Sequence, residues 1–341
     1  MARRHRRGDA NTQQGDTGLS SRKLAAIMDP IQGIKPHKDS SLAMLLEAQR
    51  RGYEIYCGDL GDIWLDGAEP RGRLTKMNVF DATDHWFEPG GTVEIDLGEM
   101  DVILMRKDPP FDIQYVFSTY VLEQAERHGT VIVNHPQGLR DANEKAFVAW
   151  FPDCVPATLI ARSLEEMRKF TAEHKRVVVK PLDMMGGRSV FATDIDDGNH
   201  NVILETVSDY GRKYTILQEY IPEIVETGDR RILLIDGEPI PHALARIPAP
   251  GDHRGNMDAG ARTEVQPLTD REWSICQRIG PLLREKGLLF TGIDIIGDSM
   301  TELNVTSPTG IRELQRETGL PIVEQLFDAI SSQCQSTQRN S

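Results

Sequence analysis

The stretch Gly292-Ile-Asp-Ile-Ile-Gly-Asp-Ser-Met-Thr-Glu-Leu-Asn-Val-Thr-Ser-Pro308 reads as two short apolar strands joined by a turn. Side chains alternate across a strand, so Glu302 and Asn304, two residues apart, share one face. A three-residue loop, Gly297 to Ser299, sets Asp294 on the preceding strand opposite Glu302 on that face. Two carboxylates and an amide oxygen converging there form a hard, all-oxygen donor set, which suits Mg²⁺ carrying nucleotide phosphates. A polar strand face that is simply solvated has the same spacing. Against it, Ile293, Ile295, Ile296, Leu303 and Val305 imply a half-buried sheet, where solvated acids are less expected.

Upstream, Val177-Val-Val-Lys-Pro181 is a strand ending in Lys180, a cation that needs an anionic partner within a core. The loop Asp183-Met-Met-Gly-Gly-Arg-Ser189 follows. Gly186 and Gly187 allow its backbone N–H groups to fold over a phosphate, although a Gly-Gly pair also makes an ordinary hairpin turn. The chain has no G-x-x-x-x-G-K-[ST] and no G-x-G-x-x-G, so Walker-type and dinucleotide-type phosphate loops are excluded.

Strands at Leu24–Asp29, Tyr53–Cys57, Asp101–Arg106 and Thr130–Asn134 alternate with helices at 39–51 and Ile113–His128. That alternation predicts an open, parallel α/β layer over about 24–135. Residues 58–100, rich in Gly, Asp and Pro, predict irregular strands and loops. A second region, about 136–330, begins at His135-Pro136 with a helix at about 141–151. It divides into a small lid (about 145–220) and a larger sheet (about 221–330). Two short helices close it, and 331–341 reads as a polar tail. Asp236-Gly237 between two apolar runs signals a hairpin. Residues 248–268 form a long glycine-bearing loop. The basic N-terminus has no apolar segment of the kind a secretory signal carries, so 1–23 predicts a disordered extension and the expected compartment is the cytoplasm.

The 341 residues carry 39 Lys+Arg against 52 Asp+Glu, a net charge of −13, which argues against a nucleic-acid partner. No apolar run approaches the ~18–20 residues of a membrane helix. Cys57, Cys154, Cys276 and Cys334 lie far apart, which disfavours structural zinc and a disulfide framework. His37, His135, His174 and His242 read as packing or surface residues.

Taken together, Asn143-Glu-Lys145, Lys180-Pro-Leu-Asp183, the glycine loop, Gln218-Glu-Tyr-Ile221 and the Asp…Glu-x-Asn strand pair resemble the ATP-grasp ligases. Within them the chain resembles prokaryotic glutathione synthetases from about residue 24 to 330. The matching segments include Met28-Asp-Pro-Ile31, 39–53, Asp101–Asp112, Leu244-Ala-Arg-Ile-Pro248, Arg254-Gly-Asn256 and Glu302–Pro308. The resemblance implies nucleotide held between two sheets and ATP-dependent ligation of glycine to γ-glutamylcysteine through an acyl phosphate. It assigns Asp294, Glu302 and Asn304 to Mg²⁺ or Mn²⁺. Lys145, Lys180, Gly186, Gly187, Gln218, Glu219, Tyr220 and Ile221 go to ATP. Arg231 and Arg246 go to catalysis; for Arg246 a sheet-edge arginine paired with an acid is the plainer alternative. Ser40, Arg106, Asp108, Arg254, Asn256 and Ser307 go to the substrates, Arg106 because it ends a buried strand at its carboxyl edge. The resemblance also implies a homo-oligomer, a tetramer. The chain departs from the family pattern at Met184, Arg188, Asp258, Ala261 and Thr309-Gly310, positions in the two loops and at the substrate end. A related ligase with another acceptor, or a nucleotide-binding paralogue without activity, fits the same motifs less fully.

Overall fold

The computed structural model describes residues 22–248 and 262–340. The N-terminal layer contains β1 (Lys23–Met28), α1 (Ser40–Arg50), β2 (Glu54–Gly58), β3 (Ile63–Asp66), β4 (Glu69–Val79), β5 (Phe87–Asp96), β6 (Val102–Arg106), α2 (Ile113–Arg127), β7 (Val131–Val133) and α3 (Pro136–Asp141). Its strands run in the order β3-β4-β2-β1-β6-β7, with β5 on β4. The pairs of β1 with β2, β1 with β6 and β6 with β7 are parallel. Each of these strands is nearly all apolar and buried, as strands covered on both faces must be.

Residues 58–100 depart from the expected irregular chain: β3, β4 and β5 form an antiparallel meander that extends the sheet. The alternation on β4 is disguised. Pro70, Gly72 and Leu74 are buried, then Met77 and Val79, so the phase slips by one residue at the bulge between Thr75 and Met77. The helix expected at 141–151 is also replaced. The Asn143 side chain accepts from the backbone N–H groups of Lys145 and Ala146, and only a 3-10 turn at Phe147–Trp150 follows.

The second region holds two antiparallel sheets. The lid contains β8 (Thr158–Ala161), α4 (Leu164–His174), β9 (Arg176–Pro181), β10 (Phe191–Asp194), α5 (His200–Val207) and β11 (Thr215–Glu219), in the order β10-β9-β11-β8. It has its own small core, in which Val177 and Val179 meet Met167, Leu204, Val207 and Leu217. The opposite face of β9 therefore presents Val178 and Lys180. The larger sheet contains β12 (Asp229–Ile235), β13 (Glu238–Ile247), β14 (Arg262–Pro267), β15 (Phe290–Ile296) and β16 (Ser299–Asn304), in the order β14-β13-β12-β15-β16, with α6 (Asp270–Glu285) packed on it. Helix α6 starts at a capping box made by Thr269 and Glu272. The chain ends in α7 (Ile311–Thr318) and α8 (Ile322–Asn340); residues 331–340, expected as a tail, continue one long helix. No helix among the described residues is long and apolar enough to cross a membrane.

Asn134 joins the two regions. Its amide nitrogen donates to the carbonyls of Phe290 and Val305, both at 2.7 Å, and its oxygen accepts from Phe290 N at 2.8 Å. The carboxyl edge of the parallel strands is thereby fixed beside β15 and β16.

Candidate active site

Asp294 pairs with Glu302, the register expected from the sequence, but by a different construction. Ile296 pairs with Ser299, so the turn has only two residues, Gly297 and Asp298. A bulge beyond the Ile295–Met300 pair then adds one residue to β16, and Asp294 meets Glu302. A tight turn plus one bulged residue gives the same register as a three-residue loop. Thr301 occupies the bulge, its hydroxyl donating to the Asp294 carbonyl at 3.3 Å.

Strand alternation also sorts the neighbouring arginines. Arg230 turns to the helix side and is held by Glu272; Arg231 turns to the opposite face. There its Nε and Nη2 donate to the two oxygens of Asp294 at 2.5 and 2.7 Å. Gly292 makes room for this side chain, because a Cβ at that position would lie 3.0 Å from the Arg231 Cδ and 3.2 Å from the Pro308 Cβ. Arg246 reaches from β13 to Asp229 and, at 2.9 Å, to Asp294. The acid partners are real, but Arg246 lies on an inner strand rather than at a sheet edge.

Burial opposes charge throughout this cluster. It acts to raise Asp294, yet Arg231 and Arg246 outweigh it and hold the carboxyl well below the usual range. Burial pushes Asp229 up to about 6 against the pull of Arg246. Burial works to lower Arg246 as well, and Asp229 and Asp294 reverse it.

Lys145 and Lys180 approach from the lid side. Lys145 Nζ lies 3.0 Å from Glu302 Oε1 and 2.5 Å from the carbonyl of Met184, so one ammonium bridges the β16 carboxylate and the glycine loop. Burial disfavours its charge, but Glu302 and Glu144 raise its pKa. Lys180 Nζ donates to Gln218 Oε1 at 2.9 Å; burial lowers its pKa, and Lys145 adds to that against Glu302. A core lysine whose charge is this poorly compensated is a ready partner for an anion.

These groups surround a cavity of about 420 Å³ between the two sheets. One end is apolar, with Val178 and Ala192 from the lid facing Ile224 and Ile296. Gln218, Glu219, Tyr220 and Ile221 line the same end. Gly186, Gly187 and the exposed Arg188 border the cavity, and both glycines have positive φ, 67° and 71°. The middle carries the charged cluster, including Asn304, and Asp108 and Ser307 line the end toward the N-terminal layer.

Two expected substrate residues are not in the cavity wall. Ser40 is fully buried, its hydroxyl accepting from Gly310 N and Ile311 N at the start of α7. Arg106 is buried behind the wall, donating to Ser41 Oγ and to the Pro308 carbonyl, both at 3.0 Å. A strand's carboxyl edge abuts α1 and α7 here instead of opening onto the cavity, so both residues brace the Ser307–Gly310 turn. Arg254 and Asn256, with most of the long loop 248–262, lie outside the described residues.

Sequence reading missed Asp229 and Glu144. The apolar setting of Arg246 was a signal that an acid must lie near; Glu144 stood inside the quoted Asn143-Glu-Lys145 motif, but nothing there gave it a role of its own.

Asn304 completes the donor set. Its Nδ2 donates to Asp294 Oδ2 at 3.3 Å, which turns its amide oxygen away from that carboxylate. Two carboxylates and an amide oxygen, flanked by four cations, fit a hard divalent ion carrying phosphate.

Family models give the same picture over the chain. The prokaryotic glutathione synthetase N-terminal domain matches residues 23–140, and the prokaryotic glutathione synthetase ATP-grasp domain matches residues 144–319. The glutathione synthetase of Escherichia coli K12 is 50% identical over 313 residues, covering 92% of this chain and 99% of the relative. That of Yersinia pestis is 49% identical, covering 90% of this chain and 97% of the relative. Among solved structures, the D-cycloserine synthetase DcsG has a TM-score of 0.63 at 16% identity, covering 90% of this chain and 99% of its own. The D-alanyl-alanine synthetase A of Vibrio cholerae has a TM-score of 0.59 at 12% identity, covering 93% and 99%. The two structures share the fold of this chain, whose second region the family model describes as an ATP-grasp domain. The chain belongs to the prokaryotic glutathione synthetase family and is an ATP-dependent carbon–nitrogen ligase.

Proposed function

We propose that the cavity between the two sheets is where this ligase makes glutathione, joining glycine to γ-glutamylcysteine at the expense of ATP. The observation that carries this reading is the meeting of Lys145 and Lys180 with Asp294 and Glu302 across a cavity whose other end is apolar. A nucleoside triphosphate has that same division, a flat apolar base and a polyanionic tail.

In this reading Gln218–Ile221 meet the adenine through backbone groups, with Val178, Ala192 and Ile296 on its faces. Lys145 and Lys180 hold the phosphates, and the N–H groups around Gly186 and Gly187 cover them. Asp294, Glu302 and Asn304 hold Mg²⁺ or Mn²⁺, which when bound neutralises charge on the β- and γ-phosphates. Asp108 and Ser307, with Arg254 and Asn256, receive the peptide donor. The cysteinyl carboxylate attacks the γ-phosphorus, ADP leaves, and an acyl phosphate forms. The glycine amine then adds to the acyl carbon, and the resulting oxyanion collapses to amide and phosphate. Arg231 and Arg246, fixed by Asp294 and Asp229 beforehand, stabilise charge on the transferring group and the oxyanion without reorganising. The glycine loop closes over the acyl phosphate and excludes water. The family resemblance supports a homo-tetramer in the cytoplasm.

Omitting each substrate in turn tests the assignment. Phosphate release should require ATP, γ-glutamylcysteine and glycine together, with release falling at least about tenfold when either amino-acid substrate is absent. Undiminished release without glycine, or full activity with other acceptors only, would contradict it.

A further inference from the structure

Asn143-Glu-Lys145 stands where the N-terminal layer, the lid and the larger sheet meet. The Asn143 side chain donates to the carbonyl of Leu182, at the end of the lid strand β9, at 3.1 Å. Glu144 turns the other way. Its backbone carbonyl accepts from Leu303 N at 2.9 Å. Its Oε1 accepts from Val305 N at 2.9 Å, Thr306 N at 3.0 Å and Thr306 Oγ1 at 2.8 Å. Three donors thus converge on one oxygen of a side chain only 7% exposed. Hydrogen bonds to a buried carboxyl oxygen are directional and costly to break, because the donors left behind would be buried and unpaired. They grip β16 just beyond Glu302 and Asn304, while the next residue along, Lys145, reaches back to Glu302.

We propose that Glu144 is a positioning residue: it clamps the end of β16 so that Glu302 and Asn304 stand at the spacing from Lys145 that one metal-bound nucleotide requires. The inference rests on the cavity being the ATP site. Glu144 itself lies behind the cavity wall and touches neither nucleotide nor donor. A side chain that merely filled the core would, when replaced, reduce the amount of folded protein without changing what the folded protein binds. A clamp changes the binding itself.

The test uses the full chain and two readouts, calorimetric binding of ADP with and without Mg²⁺ and steady-state kinetics. Glu144→Ala should weaken Mg²⁺-dependent ADP binding and lower kcat by about tenfold or more, as loss of groups that orient metal ligands does. The KM for γ-glutamylcysteine should move less than the Mg²⁺-dependent ADP affinity, because the gripped segment holds both Glu302 and Asn304 and only its far end, Thr306, adjoins the donor side at Ser307. Glu144→Gln keeps an oxygen acceptor for the three donors and should restore most of the affinity. Thr306→Val removes one donor and should shift binding in the same direction by less; it carries the test if Glu144→Ala does not fold. Parent-like Mg²⁺·ADP binding in the folded Glu144→Ala or Thr306→Val protein, or a Gln variant no better than Ala, would overturn the proposal. Failure of the parent chain to bind ADP would instead overturn the reading of the cavity.

Discussion

Arg246→Met is expected to lower kcat about a thousandfold and stability by about 3–5 kcal/mol. The guanidinium lies between Asp229 and Asp294, and all three groups are withdrawn from water. Removing it leaves two buried carboxylates near each other, with Arg231 paired to Asp294 and only a more distant influence on Asp229. Methionine replaces the apolar stem, falls short of the guanidinium position and compensates neither charge, so destabilisation follows chiefly from uncompensated burial. The kinetic loss has a separate cause, since a preorganised donor aimed at developing phosphoryl or oxyanion charge is gone. Arg246→Lys separates the two. It restores a cation and most of the stability, because a single nitrogen, Nη2, meets both carboxylates in the parent, but it lacks the further N–H donors of the planar guanidinium, so kcat should stay low. Calorimetric unfolding and phosphate release measure the two effects. A methionine variant within about tenfold of parental kcat would remove Arg246 from the chemistry.

The second large effect is expected from Glu302→Gln, which should leave the fold intact and cut turnover well over tenfold at limiting magnesium, more than ~1.4 kcal/mol of transition-state stabilisation. Glu302 is only partly buried, and its ion pair to Lys145 is replaceable by an amide hydrogen bond. Structural damage is therefore small. What is lost is a charged ligand, so the rate should recover partly as free Mg²⁺ is raised. Activity equal to the parent's at limiting Mg²⁺ would contradict the role.

What was legible in the sequence depended on whether regular alternation survived. On β15 and β16 it did: Asp294, Glu302 and Asn304 fall on one face because a bulge at Thr301 compensates for a shorter turn. On β4 a bulge did the reverse, slipping the phase between Leu74 and Met77, and the meander read only as irregular strands and loops. Arg230 and Arg231 could be told apart by strand parity once the strand was placed, but which of them faces the cavity needed the sheet. Asp229 and Glu144 act through contacts with residues 17 and 161–162 positions away, and no local pattern encodes those. Ser40 and Arg106 lie outside the cavity wall for a related reason. They do stand at the carboxyl edge of a parallel layer, yet α7 packs over that edge and takes their hydrogen bonds.

A single turnover with ¹⁸O in the cysteinyl carboxylate of γ-glutamylcysteine follows the bond that all of these groups are arranged to make. If the carboxylate attacks the γ-phosphorus and phosphate later leaves from the acyl carbon, the released phosphate carries one ¹⁸O and the new amide carbonyl retains the other. Phosphate free of label, or label found in AMP, would contradict phosphoryl transfer to the donor carboxylate in this cavity.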